Sequence, residues 1–126
     1  MSHKVFISAS YEDRDIARDL EHRLHNAGVP AIYSELTMSI GSDFEKTFMS
    51  RLKAADEIIV ILSRNSIDNL WMMYEIGAAS SLQKTITPVV VGLESAELPP
   101  VVKQLKYIRY DKLSEYISNI KRSEAA

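Results

Sequence analysis

No cysteine occurs in the sequence, which excludes disulfides, thiolate metal sites and a thiol nucleophile, and fits a reducing compartment. Histidine is nearly as scarce. His3, His22 and His25 are the full complement, and the last two share one polar helical stretch, so no metal site is expected. There is no basic excess either. Fifteen Lys and Arg stand against 17 Asp and Glu, a formal net charge of -2, so no surface suited to a nucleic-acid backbone is expected. The longest apolar runs, Ile58 to Leu62 and Pro88 to Val91, are far shorter than the ~20 residues that span a bilayer. No basic segment followed by an apolar stretch opens the chain, so neither a signal peptide nor a membrane partner is expected, and the reading is cytoplasmic. Glycine numbers only four, and neither G-x-G-x-x-G nor G-x-x-x-x-G-K-[ST] is present to cradle a phosphate.

What remains is an ordinary soluble composition, 46% hydrophobic and 25% charged, over 126 residues. That length suits one domain, residues 1–126, with a core of its own. Short apolar runs alternate with amphipathic stretches, the pattern of an α/β fold with a parallel sheet. Lys4 to Ser8 reads as a first strand, and Tyr11 to Ala27 as a helix with Glu12, Asp13 and Asp15 at its positive end and Gly28 as its C′ glycine. Pro30 to Tyr33 is a second strand and Ser34 to Gly41 a loop. Ser42 or Asp43 caps the next helix, with Glu45 completing a capping box and Phe44, Phe48, Leu52 and Ala55 on one face. Glu57 to Ser63 is apolar on both faces, as a central parallel strand is. Trp71 to Gln83 reads as a helix whose small residues, Gly77 to Ser81, suit close packing on a sheet. Thr85 to Val91 is a fourth buried strand, Leu105 to Tyr110 an edge strand, and Leu113, Tyr116, Ile117 and Ile120 the stripe of a last helix. The order predicts a flavodoxin-like, doubly wound, five-stranded parallel sheet with helices on both faces. Ligands of such sheets bind beyond the carboxyl ends of the strands, here Ser8 to Tyr11, Ser34 to Gly41, Ser63 to Trp71 and Gly92 to Pro99.

Val5-Phe-Ile-Ser-Ala-Ser10, Ala54-Ala-Asp-Glu-Ile-Ile-Val-Ile-Leu-Ser63, Trp71-Met-Met-Tyr-Glu75 and Ile86-Thr-Pro-Val89 resemble segments of the TIR (Toll/interleukin-1 receptor) domain family. Val5-Phe-Ile-Ser-Ala-Ser10 with Glu12-Asp13 is similar to the family's opening strand. Gly41 with Asp43 resembles the end of its long second-strand loop, although Ile40 stands where members often have proline. Ala54-Ala-Asp-Glu-Ile-Ile-Val-Ile-Leu-Ser63 looks like its third strand. Trp71-Met-Met-Tyr-Glu75 matches its W-x-x-x-E element, and Ile86-Thr-Pro-Val89 its fourth strand. The likeness covers about residues 4 to 110.

The resemblance implies an enzyme that uses NAD as substrate, with no other cofactor and no metal, and cleaves its nicotinamide–ribose bond. In catalytic members the glutamate at Glu75 is required. The chemistry suits a single carboxylate: nicotinamide leaves as a neutral molecule, and the remaining need is to stabilise a ribosyl cation. The plainer reading of Glu75 is a solvated glutamate near a helix start. Trp71 lies four residues earlier on the same helix face, where it either walls the nicotinamide pocket or anchors the core. Ser8, Ser10 and Tyr11 either bind ribose and phosphate or supply turn chemistry. Glu35 matches an acidic position that touches ligand in relatives, or is a solvated loop charge. Arg14, Arg18, Arg23 and Lys46 could meet a pyrophosphate but read as solvated helix faces. The loop Ser34 to Asp43 matches the family's assembly loop, which implies self-association and a site completed by a neighbouring copy. A stand-alone domain of this kind is similar to bacterial antiphage proteins, with any effector on a separate chain. Two other classes compete. A non-catalytic TIR–TIR assembly or adaptor module would keep the fold without turnover. A phosphoacceptor receiver would need an aspartate ending the third strand, where Leu62-Ser63-Arg64-Asn65 has none.

Overall fold

Five short segments rich in β-branched residues pair into one parallel sheet: β1 (Val5–Ser8), β2 (Ala31–Tyr33), β3 (Glu57–Leu62), β4 (Thr85–Val90) and β5 (Ile108–Arg109). Their order is β2-β1-β3-β4-β5, the flavodoxin-like arrangement expected from the sequence. This computed structural model describes the backbone of residues 3–33, 42–67 and 70–125, and the side chains of 3–33, 48–67 and 76–120. The connections carry five helices: α1 (Arg14–Asn26), α2 (Ser42–Ala54), α3 (Leu70–Ser81), the single turn α4 (Pro100–Lys103) and α5 (Leu113–Ala125).

Side chains alternate across the sheet, so β3 feeds two cores at once. Ile59 and Ile61 join Val5, Ile7, Leu20, Leu24, Leu113 and Ile120 under α1 and α5. Ile58, Val60 and Leu62 join Phe6, Phe48, Leu52, Ile76, Ala79 and Val102 under α2, α3 and α4. All six residues of β3 are buried, which is why that segment lacks the alternation of a half-exposed strand. Burial of a leucine- or isoleucine-sized side chain is worth about 1.5–3 kcal/mol, so these two layers dominate stability.

Local departures have local causes. The stretch read as one helix from Tyr11 begins as a 3-10 turn, Tyr11–Asp13, before α1 proper. Gly28 does follow the helix as a left-handed C′ residue, with φ of 80°. The fifth strand is shorter than Leu105 to Tyr110. Leu105 N donates to the Val102 carbonyl at 3.0 Å and Tyr107 N to the Leu105 carbonyl at 3.0 Å, so these residues close the turn after α4 instead of pairing with β4. The small residues of α3 do not form a close-packed face. Ala79 is fully buried and Ala78 half-buried, but Gly77, Ser80 and Ser81 face solvent. The loop Ser34 to Gly41, including Glu35 and Ile40, lies outside the described residues, as do the side chains of Ser42, Asp43, Phe44, Glu45 and Lys46.

Candidate functional site

Strand order reverses at β1, whose following helix crosses to β2 on one side while β3 lies on the other. The crevice of a doubly wound sheet opens there, between the connections that leave β1 and β3. Both connections are tightly built.

After β3 the chain folds back on Ser63. Ser66 N and Ile67 N donate to the Ser63 carbonyl at 3.1 and 2.9 Å. Ser66, completely buried, receives the Ser63 N–H on its hydroxyl at 3.1 Å and donates that hydroxyl to the Ile61 carbonyl at 3.2 Å. Asn65 N donates to Ser63 Oγ at 3.0 Å. A serine-rich turn therefore satisfies backbone groups that β3 can no longer pair.

After β1, Ser8 is buried at the strand end. Asp13 N donates to the Ser10 carbonyl at 3.0 Å and closes the 3-10 turn. Tyr11 is 53% exposed, with the Arg14 guanidinium 4.1 Å from its ring centroid and Arg14 Nη1 donating to its carbonyl at 3.1 Å. Tyr33, at the end of β2, has its phenol pKa raised by burial, an effect that the positive charges of Arg18 and Arg14 oppose. Of the remaining arginines, Arg18 lies 3.9 Å from Asp15, and Arg23 lies 3.8 Å from Asp19 and donates to Ser114 Oγ at 3.4 Å.

One residue joins the two connections. Asp13 is only 3% exposed, and its side chain makes no capping bond to α1. Its carboxylate accepts from Ser63 Oγ at 2.6 Å, from Asn65 Nδ2 at 3.0 Å and from Ser10 Oγ at 3.1 Å. Composition of the first helical turn suggested only a favourable dipole interaction. Two of the three partners, Ser63 and Asn65, stand 50 and 52 residues away in sequence, and the signal for them is the polar Ser63-Arg-Asn-Ser66 directly after an apolar strand.

Trp71 and Glu75 fall in the first and second turns of α3, which starts from the same sheet edge, directly after the Ser63 turn and residues 68–69. Their side chains lie outside the described residues. Thus the backbone brings Ser8, Ser10, Tyr11, Trp71 and Glu75 to one edge of the sheet, whereas Glu35 is not placed. Among the described residues, no group of three His, Asp or Glu could hold a metal ion, and no helix is long and apolar enough to cross a membrane.

A described set of this kind has known relatives. The family model described as "TIR domain" matches residues 5–122. The protein named NAD(+) hydrolase TcpC of Escherichia coli is 36% identical over 99 residues, covering 74% of this chain and 32% of that protein. The 2' cyclic ADP-D-ribose synthase BtTIR of Bacteroides thetaiotaomicron is 34% identical over 89 residues, covering 67% of this chain and 31% of that protein. The chain therefore spans about a third of the length of either relative. Among solved structures, the TIR domain of the Toll-related receptor TRR-2 from Hydra magnipapillata superposes with a TM-score of 0.73 at 18% identity, over 93% of this chain and 97% of that one. With the family model spanning nearly every residue and the strand order in agreement, this chain belongs to the TIR domain family.

Proposed function

We propose that this domain cleaves NAD at the nicotinamide–ribose bond, with Glu75 as the carboxylate that stabilises the ribosyl cation. The observation that carries the reading is the position of Glu75. It lies in the second turn of a helix that starts at the β1–β3 edge, after the β3 connection that Asp13 joins to that of β1. Relatives at 34–36% identity over this domain are named for NAD hydrolysis and cyclic ADP-ribose synthesis, which supports the same bond as the target.

In the reaction, the bond from ribose C1′ to the pyridinium nitrogen breaks. Its electron pair leaves with nicotinamide, which departs neutral. A carboxylate held against the sugar lowers the energy of the cation that forms. Water then attacks C1′ and loses a proton to give ADP-ribose, or a hydroxyl of the same molecule attacks to give a cyclic isomer. Trp71, one helical turn before Glu75 in α3, is the residue we propose to border the leaving group. Self-association through residues 34–43 would complete the site from a second copy, and a role in antiphage defence with a separate effector extends the reading further.

The test is nicotinamide release from NAD by concentrated protein, with co-products separated by mass. Wild type releases nicotinamide, and Glu75→Ala loses at least about 100-fold, the scale of removing a principal electrostatic group. Equal release from both proteins removes Glu75 from the mechanism. Association without release at any concentration replaces the enzyme with an assembly module.

A further inference from the structure

We propose that Asp13 is a positioning residue that orients Asn65, so that the Asn65 side-chain carbonyl accepts a hydrogen bond from a ribose hydroxyl. The inference rests on the NAD-cleavage reading and adds to it the part of the substrate that lies over the joined loops.

Hydrogen-bond polarity carries the argument. A carboxylate only accepts, so each neighbour of Asp13 must donate to it. Ser63 gives its single hydroxyl proton to Asp13 at 2.6 Å and takes the Asn65 N–H on its oxygen at 3.0 Å. Ser10 gives its proton to Asp13 at 3.1 Å. Asn65 must then turn its NH2 inward, where Nδ2 lies 3.0 Å from Asp13 Oδ1. Its Oδ1 is left as an acceptor on an exposed residue, with no partner among the described residues. Ser10 and Ser63 spend their hydroxyl protons inward and Asn65 one of its two amide protons, so what is offered outward is Ser10 Oγ and Asn65 Oδ1 as acceptors with one Asn65 N–H beside them.

An array of acceptors suits a ligand group with donors. In NAD the donors are the sugar hydroxyls and the NH2 groups of nicotinamide and adenine, and of these only a hydroxyl both donates to Asn65 Oδ1 and accepts from the remaining Asn65 N–H at one atom. The pyrophosphate, which carries only acceptor oxygens and negative charge, is disfavoured against the same atoms. The geometry therefore orders the substrate: a ribose diol over Asn65 and Ser10, with the phosphates displaced from that spot. Asp13 itself touches no ligand, since it is buried beneath the groups it orients.

Steady-state nicotinamide release tests this with wild type, Asn65→Ala and Asp13→Asn. The substrates are NAD and its analogues lacking the 2′- or 3′-hydroxyl of the nicotinamide ribose. Asn65→Ala is expected to lose about tenfold in kcat/KM on NAD, the value of one well-placed hydrogen bond. On the analogue that lacks the contacted hydroxyl it loses less than about twofold. The paired comparison cancels any intrinsic change in lability that the deoxy sugar brings. Asp13→Asn, whose amide repels the inward NH2 of Asn65, is expected to abolish the same discrimination. If that variant does not fold, Ser63→Ala removes one donor of the ring and carries the same measurement. Additive losses for Asn65→Ala on every analogue overturn the proposal, and so does full discrimination in the Asp13 or Ser63 variant. No release from wild type under any condition overturns the NAD reading itself, and this inference with it. Release from wild type with additive losses overturns only this inference.

Discussion

Two buried carboxylates sit at opposite ends of the sheet, and each gathers three side chains. At the carboxyl edge, Asp13 accepts from Ser10, Ser63 and Asn65. At the amino edge, Glu57, only 4% exposed, accepts from His3 Nε2 at 2.6 Å, from Tyr116 OH at 2.7 Å and from Thr87 Oγ1. The chemistry is the same, but the partners differ in kind. Thr87 belongs to β4, Tyr116 to α5, and His3 to the segment entering β1, so Glu57 fastens regular elements to one another. Every partner of Asp13 lies in a connection. Connections at the carboxyl ends of parallel strands are where such folds bind ligands, and the amino edge has no comparable role. A buried, fully bonded carboxylate is therefore not a functional signal in itself. On the proposed function, its place on the sheet decides whether losing it is expected to cost stability or turnover.

The sharpest way to break the comparison is to remove one member of each cluster. Glu57→Ala leaves the hydroxyls of Thr87 and Tyr116 without their acceptor. It is expected to cost about 3 kcal/mol, or roughly 10 °C in Tm by calorimetry. Glu57→Gln, which keeps a carbonyl acceptor, costs less. Neither is expected to alter nicotinamide release per folded molecule. Ser63→Ala removes one bond to Asp13 and should lower stability by about 1 kcal/mol while lowering turnover. A Glu57 variant that loses turnover at full folding, or a Ser63 variant that keeps it, would erase the distinction between the two edges.

A weaker effect separates the edges by pH. Burial, the Glu57 charge beside it and the hydrogen bond to that carboxylate all raise the Tyr116 pKa. In the unfolded chain this phenol titrates near 10. Folding raises the value, so the stabilisation is complete below about pH 10. It is lost as pH climbs above that, because the unfolded state ionises while the folded state holds its proton. Wild type is expected to show a fall in Tm between about pH 9.5 and 11, and Tyr116→Phe a shallower one. Equal slopes would show that Tyr116 does not couple folding to pH.

The sheet that frames this contrast was legible in the sequence, but not the two carboxylates at its ends. The sheet could be read because β3 is apolar on both faces, as only a central strand is, and because Gly28 sits where a helix needs a left-handed residue. Reading the edge strand as Leu105 to Tyr110 overran, since hydrophobicity does not reveal that the amides of Leu105 and Tyr107 bond within a turn. The small residues of α3 suggested a packed face, but only Ala78 and Ala79 point to the sheet, a matter of helix phase. For the site, Ser8, Ser10, Tyr11, Trp71 and Glu75 could be assigned to one edge from strand order alone. Asp13 and Glu57 could not be read as hubs. All but one of their partners, Ser10, lie 30 to 59 residues away, and a carboxylate at a helix start or strand start has an adequate local explanation that conceals a distant one.

The smallest expected effect concerns the rim of the carboxyl edge. Arg64, on the turn after β3, places Nη1 2.9 Å from Glu97 Oε1 in the connection between β4 and α4. The Glu97 pKa is lowered first by its bond from the Glu94 backbone N–H, and then by the bond and charge of Arg64. Glu94 and Glu97 form a capping box that holds this carboxylate in place without Arg64. Both partners are solvated, and an ion pair in water gains little after screening and side-chain ordering. Arg64→Ala is therefore expected to leave Tm unchanged within error at any salt concentration. A salt-dependent fall in Tm would mean that the rim contact fastens the connections after β3 and β4, as Asp13 fastens those after β1 and β3. The carboxyl edge would then be held at two joints instead of one.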